Sequence, residues 1–243
     1  MNPDAPHPLS TPLSFQWIGD SSLRIGCGGE NTPASRDLAR RVLETLDRTP
    51  VTGLLDRTPA FATVLLRFRP SDTPQAEARV RLALRGLFGA PDDVPDAPPA
   101  RTLTIPVCYD PHFALDLESV AAIRQLSTAE VIRLHTQATY RVAFIGFTPG
   151  FPYLTGLPEA LAVPRHTQPR TRVPAGSVAI ASDQAGIYPR EIPGGWRILG
   201  RTPLTLFDPA RESPSLLSMG DHVRFVPISR EEFERLRNRE HLA

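Results

Sequence analysis

The chain has 243 residues, of which 41% are hydrophobic and 22% are charged, and its formal net charge is +1. This length supports a buried core in one large domain or two small ones, and the near-neutral charge argues against a nucleic-acid or anionic-membrane ligand. All 27 basic residues are arginine. The absence of lysine excludes a Schiff-base lysine and the lysine of a phosphate-binding loop.

The two cysteines, Cys27 and Cys108, allow one disulfide at most. Two cysteines in a chain of this size are typical of a reducing compartment, where thiols serve as small apolar side chains. The first ten residues have neither a basic start nor an apolar run, and no segment reaches the length of a membrane span. We therefore expect a cytoplasmic protein.

The first 92 residues predict a ferredoxin-like domain. The expected elements are a strand or hairpin over 13–26, a helix from Pro33 to about Thr49, strands over 51–58 and 61–69, and a helix from Pro74 to about Phe88. Asn31 or Thr32 can cap the first helix. The order β-α-β-β-α is typical of a split βαβ sandwich.

Residues 93–101 follow as a stiff proline-rich linker, and a second domain is expected over 102–228. It begins with a strand over 102–109 and two helices, the second capped by Ser127. The remaining strands are expected within 139–147, 171–182, 196–201, 202–207 and 222–228. Short strands separated by glycine and proline predict a small closed barrel, so the fold class is α+β. The charged tail, 229–243, is expected to form a helix capped by Ser229.

Residues 146–158, GFTPGFPYLTGLP, are too rich in glycine and proline for a helix or a plain strand. A rigid loop of this kind holds Phe147, Phe151 and Tyr153 at fixed positions. The loop is either the wall of a ligand pocket or subunit contact, or a tight barrel corner with its rings in the core.

Residues 164–177 contain Arg165, Arg170 and Arg172. In an extended segment, Arg170 and Arg172 point to the same side. Two planar guanidinium groups on one side suit a carboxylate or a phosphate. The alternative is a solvated basic strand edge.

Residues 182–203 place amphipathic side chains in a frame of glycine and proline: Gln184, Tyr188, Trp196 and Arg201. The pair Gly194-Gly195 permits backbone angles closed to other residues, so the Trp196 ring can be aimed into a site. The alternative is that Trp196 anchors a core.

His135 lies four residues after Val131, on or beside the buried face of a predicted helix. A lone histidine in that position is more often a core residue than a catalytic base. The chain has no HxH, HExxH, CxxC, GxSxG or P-loop spacing. We therefore expect no metal site.

Five segments in order resemble one family: IGFTPGFPYLTGLP, PRTRVPAGSVAI, QAGIYP, PGGWRILGRTPLTLFDP and PSLLSMGDHVRFVP. The chain is similar over about residues 103–228 to the Kip-inhibitor family, whose members are also called B-type 5-oxoprolinase subunits or allophanate hydrolase subunit 1. It departs from the family pattern at Asp110-Pro111 and at Ser182-Asp183, where members usually carry Gly-Gly.

The resemblance implies a cyclophilin-like barrel and a complex with C-type and A-type subunits that converts 5-oxo-L-proline to L-glutamate with ATP. The ATP site is expected at the interface with the partner subunit. On this hypothesis Arg172 and Arg201, with Arg170, hold an anion, Gln184 and Tyr188 bind the amide, Phe151, Tyr153 and Trp196 form the wall, and His135 is the candidate for proton transfer. Two alternatives stay open: a non-catalytic inhibitor of a histidine kinase, and a component of a urea carboxylase or allophanate hydrolase-like system with a biotin-linked partner.

Overall fold

A computed structural model of the chain describes residues 13–88 and 101–240. The chain divides into two compact units, residues 1–98 and 99–243. The expected linker lies outside the described residues except for Arg101, as do the first 12 residues and the last three of the charged tail.

The N-terminal unit is a four-stranded antiparallel sheet with two helices. Its elements are β1 (Leu13–Ile18), β2 (Ser22–Cys27), α1 (Pro33–Arg48), β3 (Leu54–Ala60), β4 (Thr63–Phe68) and α2 (Ala76–Ala83). The strand order is β1-β2-β4-β3. Because β4 lies between β2 and β3, these strands and α1 form a split βαβ unit, and β1 completes the sheet beside β2. The ferredoxin-like prediction is confirmed.

Alternating side chains give this unit its core. Leu23, Ile25, Val64 and Leu66 are fully buried on one face of the sheet, and α1 buries Val42 against them. The N-cap of α1 is Thr32, whose hydroxyl accepts a hydrogen bond from the Ser35 backbone N–H at 3.2 Å. The second helix is shorter than predicted, because the backbone is left-handed at Gln75 and tightens to a 3₁₀ turn at Arg85–Phe88.

The C-terminal unit is built on a closed seven-stranded barrel. Its elements are β5 (Thr102–Cys108), α3 (Leu117–Arg124), α4 (Thr128–Gln137), β6 (Tyr140–Ile145), β7 (Pro152–Thr155), β8 (Arg170–Val173), β9 (Ser177–Ala181), β10 (Gln184–Ile187), β11 (Ile192–Gly194), β12 (Arg197–Arg201), β13 (His222–Ile228) and α5 (Arg230–Glu240). The barrel order is β10-β7-β6-β13-β5-β12-β9, and pairing of β9 with β10 closes it. A separate two-stranded ribbon consists of β8 and β11. The predicted barrel with two helices is confirmed.

Three strands escaped prediction: β7, β10 and β11. Strand β7 lies inside the segment interpreted as a loop. The segment can form a strand there because Pro152 is the first residue of β7, a position where a missing N–H is tolerated. Each of the three has only three or four residues, too few for a visible alternation. The predicted strand over 202–207 is wrong, since only Phe207 makes an isolated bridge there.

The C-terminal helix α5 is capped, as expected, by Ser229, whose hydroxyl accepts a hydrogen bond from the Glu232 N–H at 3.2 Å. Its Phe233 is buried, with its ring centroid 4.5 Å from that of Phe113. Within the two described stretches, no helix combines the length and the apolar character needed to cross a bilayer.

Candidate functional site

A cleft of about 280 Å³ opens in the C-terminal unit, and it joins the three glycine- and proline-rich segments singled out in the sequence. Its lining residues are Phe147, Phe151, Tyr153, Arg165, Pro169, Tyr188, Pro193, Gly194, Gly195 and Trp196. Four of the expected site residues, Phe151, Tyr153, Tyr188 and Trp196, therefore come together. A volume of this size lies just below the range for small-molecule sites, about 300–1,000 Å³.

Phe151 is the centre of the aromatic wall. Its ring meets four others edge to face, at centroid distances of 5.5 Å to Phe147, 5.1 Å to Tyr153, 5.2 Å to Tyr188 and 5.5 Å to Trp196. This geometry is favourable for aromatic pairs. Because Phe151 is only 1% exposed while Trp196 is half-buried, the segment is both a packed corner and a pocket wall. Residues 146–158 therefore fit both interpretations at once, as a tight barrel corner and as a pocket wall.

Two glycines make room for these rings. A Cβ at Gly186 would lie 2.7 Å from Phe151 Cζ and 3.0 Å from Trp196 Cζ3. A Cβ at Gly194 would lie 2.3 Å from the Tyr188 hydroxyl oxygen. Side chains at these positions would displace the wall, so the shape of the cleft depends on glycine at both.

The Tyr188 phenol stays protonated in the neutral pH range. Burial raises its pKa above the ordinary value of 10.0, although the Trp196 backbone N–H donates a hydrogen bond to its oxygen and opposes the shift. The O–H group therefore keeps its proton and lies beside Gly194, which lines the cleft.

Phe147 stands at the mouth of the cleft in an unusual conformation. Its φ is +66°, in the left-handed region, and its side chain is 64% exposed. A residue other than glycine costs about 1–2 kcal/mol in that region. Strain of this kind is often retained at ligand sites, and here it directs an exposed ring over a pocket.

Arg170 is not available to an external anion, because Asp116 already binds it. Two guanidinium nitrogens of Arg170 lie 2.8 Å from the two carboxylate oxygens of Asp116. The same carboxylate contacts His166 Nε2 at 3.0 Å and accepts a hydrogen bond from the Ile198 backbone N–H at 2.8 Å. Burial would raise the pKa of Asp116, but the hydrogen bonds from Arg170 and Ile198 outweigh it and lower the pKa below 3.8.

Sequence reasoning missed this carboxylate. Asp116 and Arg170 are separated by 54 positions, and no local pattern connects them. Their contact fixes the start of β8 beside the cleft. Asp116 is thus a structural support for the loop that contains Arg165 and Pro169.

Arg172 and Arg201 do not line the cleft. The Arg172 guanidinium is largely exposed and bonds to Glu191, with Nε 2.8 Å from the carboxylate. Arg201 Nε donates to the Ala175 carbonyl at 2.7 Å, and burial lowers the pKa of its guanidinium. The predicted alignment of Arg170 and Arg172 on one ligand is not what the structure has, because each is paired with a different carboxylate of the chain.

The remaining two expected residues also lie outside the cleft lining. His135 is fully buried, its ring stacks on Phe225 at 4.5 Å, and its Nδ1 lies 2.7 Å from the Tyr109 hydroxyl. Burial lowers the pKa of His135 to about 3, so the imidazole is neutral. Gln184 is the half-buried first residue of β10, two positions before Gly186.

Among the described residues, Arg165 is the one charged side chain in the lining of the cleft. The sequence pointed to the arginine run that contains it, but no local signal separated Arg165 from its neighbours. Among residues 13–88 and 101–240, no group of three or more histidine, cysteine, aspartate or glutamate side chains is arranged to hold a metal ion.

Residues 13–217 match the family described as carboxyltransferase domain, subdomain C and D, and the chain belongs to it. Among curated proteins, the chain is 35% identical to the B-type 5-oxoprolinase subunit of Bacillus subtilis over 240 residues, 93% of this chain and 97% of the relative. It is 53% identical to the protein of the same name from Escherichia coli over 130 residues, 54% of this chain and 60% of that protein.

The fold recurs in a solved structure of low sequence identity. The urea carboxylase of Kluyveromyces lactis superposes with a TM-score of 0.76 at 20% identity, covering 96% of this chain and 23% of the carboxylase. At that identity the likeness concerns the fold alone.

Proposed function

We propose that this chain is the B-type component of an ATP-dependent 5-oxoprolinase, which works with A-type and C-type subunits in the cytoplasm to convert 5-oxo-L-proline to L-glutamate. The proposal rests on one observation. Three separate glycine- and proline-rich segments converge on one small aromatic cleft, in a chain that aligns with 97% of the B-type 5-oxoprolinase subunit of Bacillus subtilis.

The cleft suits the binding and orientation of a lactam ring. The half-buried Trp196 ring, which packs edge to face on Phe151, offers an apolar surface from which a bound ring would exclude water. The protonated Tyr188 hydroxyl is a hydrogen-bond donor for an amide oxygen. Fixed donors in a site shielded from water stabilise charge that develops on such an oxygen during attack at the carbonyl carbon.

We propose that ATP binds on the partner subunits or at the interface with them. Two features support this: the cleft has a volume of only about 280 Å³ and one guanidinium group in its lining, and the chain contains no lysine for a phosphate-binding loop. The role of this chain is to hold and orient the organic substrate.

Co-expression of the chain with candidate A-type and C-type subunits tests the proposal. The purified complex is assayed for glutamate released from 5-oxo-L-proline with and without ATP. We expect ATP-dependent release, and the variant Trp196→Ala is expected to raise KM at least about tenfold, the equivalent of ~1.4 kcal/mol of lost contact. Trp17→Phe, in the N-terminal unit, is the matched control and leaves KM unchanged.

Other outcomes would assign the chain differently. A well-folded complex that releases no glutamate refutes the proposal. Co-purification of a sensor kinase in place of the A-type and C-type subunits would favour the inhibitor alternative, and a biotinylated carrier in the complex would favour the urea carboxylase alternative.

A further inference from the structure

The arginines around the cleft differ in whether the protein already satisfies them. Four have partners within the chain: Arg170 binds Asp116, Arg172 binds Glu191, Arg197 donates to the Pro164 carbonyl and Arg201 donates to the Ala175 carbonyl. A guanidinium group that is already paired binds a further anion less strongly, because the existing partner must first be displaced or shared.

Arg165 is different. It lines the cleft, its side chain is exposed, and within the described ranges it makes no hydrogen bond or ion pair. Its backbone is nevertheless held on both sides. Arg197 Nε binds the carbonyl of Pro164 at 2.9 Å, and the N–H of His166 donates to the carbonyl of Gly195 at 2.7 Å. The chain therefore fixes where the Arg165 side chain starts and leaves its planar head unpaired.

The other described residues of the lining are uncharged. Five aromatic rings and a few proline and glycine residues surround Arg165, and no carboxylate is among them. A cationic ligand would meet the Arg165 charge with nothing to offset it, and a neutral ligand would leave that charge unused. One negative charge on a compact ring matches both the single guanidinium and the small volume.

We propose that the cleft binds a small ring-bearing monocarboxylate, that Arg165 binds the carboxylate in a bidentate manner, and that the ring of the ligand packs on Trp196. The inference deepens the proposed function, on which it rests for the identity of the substrate, since 5-oxo-L-proline is a five-membered ring with one carboxylate. It makes Arg165 the specificity-determining residue of the cleft, in place of Arg172 and Arg201.

Ligand titration of the 243-residue chain tests the inference directly. The chain has two tryptophans, so Trp17→Phe leaves Trp196 as the sole reporter of fluorescence. The probes are 5-oxo-L-proline, 2-pyrrolidinone (the same lactam without the carboxylate) and cyclopentanecarboxylate (the carboxylate without the lactam). The variant is Arg165→Gln, and the matched control is Arg224→Gln, which removes an exposed arginine of β13 outside the cleft.

We expect both carboxylates to bind more tightly than 2-pyrrolidinone. Arg165→Gln should weaken both carboxylates at least about tenfold, leave 2-pyrrolidinone unchanged and reduce the dependence of binding on salt. Arg165→Lys should restore part of the affinity, and Arg224→Gln should change nothing. Equal affinities for the three probes, no response to any of them, or carboxylate binding that survives Arg165→Gln would overturn the inference.

The reconstituted complex separates this inference from the proposed function. If the wild-type complex and its Arg165→Gln variant release glutamate with the same KM, the function stands and the role of Arg165 is wrong. If the complex releases no glutamate but the isolated chain binds ring carboxylates through Arg165, the function is wrong and the anion site stands.

Discussion

Replacing His135 with glutamine separates a core histidine from a catalytic one. The native imidazole is fully buried between Phe225 and Tyr109, and its pKa is lowered by burial from 6.5 to about 3. Glutamine keeps an oxygen that can accept the Tyr109 O–H but cannot take up a proton in this pH range. The variant therefore removes the titrating group with little change in hydrogen bonding.

The sign of the effect follows from the lowered pKa. Below pH 6.5 the unfolded chain binds a proton that the native His135 does not bind until about pH 3. The contribution of the neutral, buried His135 to the stability of the native state is fully present above pH 6.5. It is lost as the pH falls from 6.5 to about 3. Between about pH 6 and pH 4, this one group should lower the folding equilibrium constant roughly 50- to 100-fold.

Urea unfolding of the C-terminal unit, followed by Trp196 fluorescence in a Trp17→Phe background, measures this linkage. His135→Gln should be about 1–3 kcal/mol less stable than the parent near pH 7, and the gap should narrow towards pH 4. The turnover number of the reconstituted complex should change less than about threefold. His112→Gln, which removes an imidazole at an exposed position, is the matched control.

An unchanged acid dependence of stability in His135→Gln would contradict the lowered pKa of the buried imidazole. A variant that folds normally but loses two or more orders of magnitude in turnover would show that the imidazole acts in the reaction. Either result would contradict its assignment to the core.

Two further predictions concern the cleft and its support. Gly186→Ala should lower ring-carboxylate affinity at least about tenfold and the free energy of unfolding by about 1–3 kcal/mol, because the added methyl would lie 2.7 Å from Phe151 Cζ. Ligand titration measures the affinity, and urea unfolding measures the stability. Unchanged binding would show that the Phe151 ring moves freely. Asp116→Asn should cost roughly 1.5–3 kcal/mol near pH 7, since Arg170 loses its buried counter-ion. Because the Asp116 carboxyl has a lowered pKa, its contribution is present above pH 3.8 and is lost on further acidification, so the variant should be less acid-sensitive below that pH. If the stability of the parent and of Asp116→Asn fell equally below pH 3.8, this role of Asp116 would be contradicted.

Local chemistry in the sequence was sufficient for much of the fold. Some features depend only on residues a few positions apart, so the local sequence pattern predicts them. These are the helix caps at Thr32, Ser127 and Ser229 and the alternation of buried and exposed residues in β2 and β4. The same holds for the rigid frames around Phe151 and Trp196, because glycine and proline restrict the backbone wherever they occur. These frames indicated which side chains would form a wall.

Only the tertiary structure decided which arginine faces the cleft. In the sequence, Arg165, Arg170 and Arg172 are nearly equivalent, and the choice depends on Asp116 and Glu191, which reach them across 54 and 19 positions. The same is true of the core position of His135. Charge pairing and burial depend on groups that are far apart in the sequence and come together only on folding. The local sequence pattern around a residue therefore does not predict them.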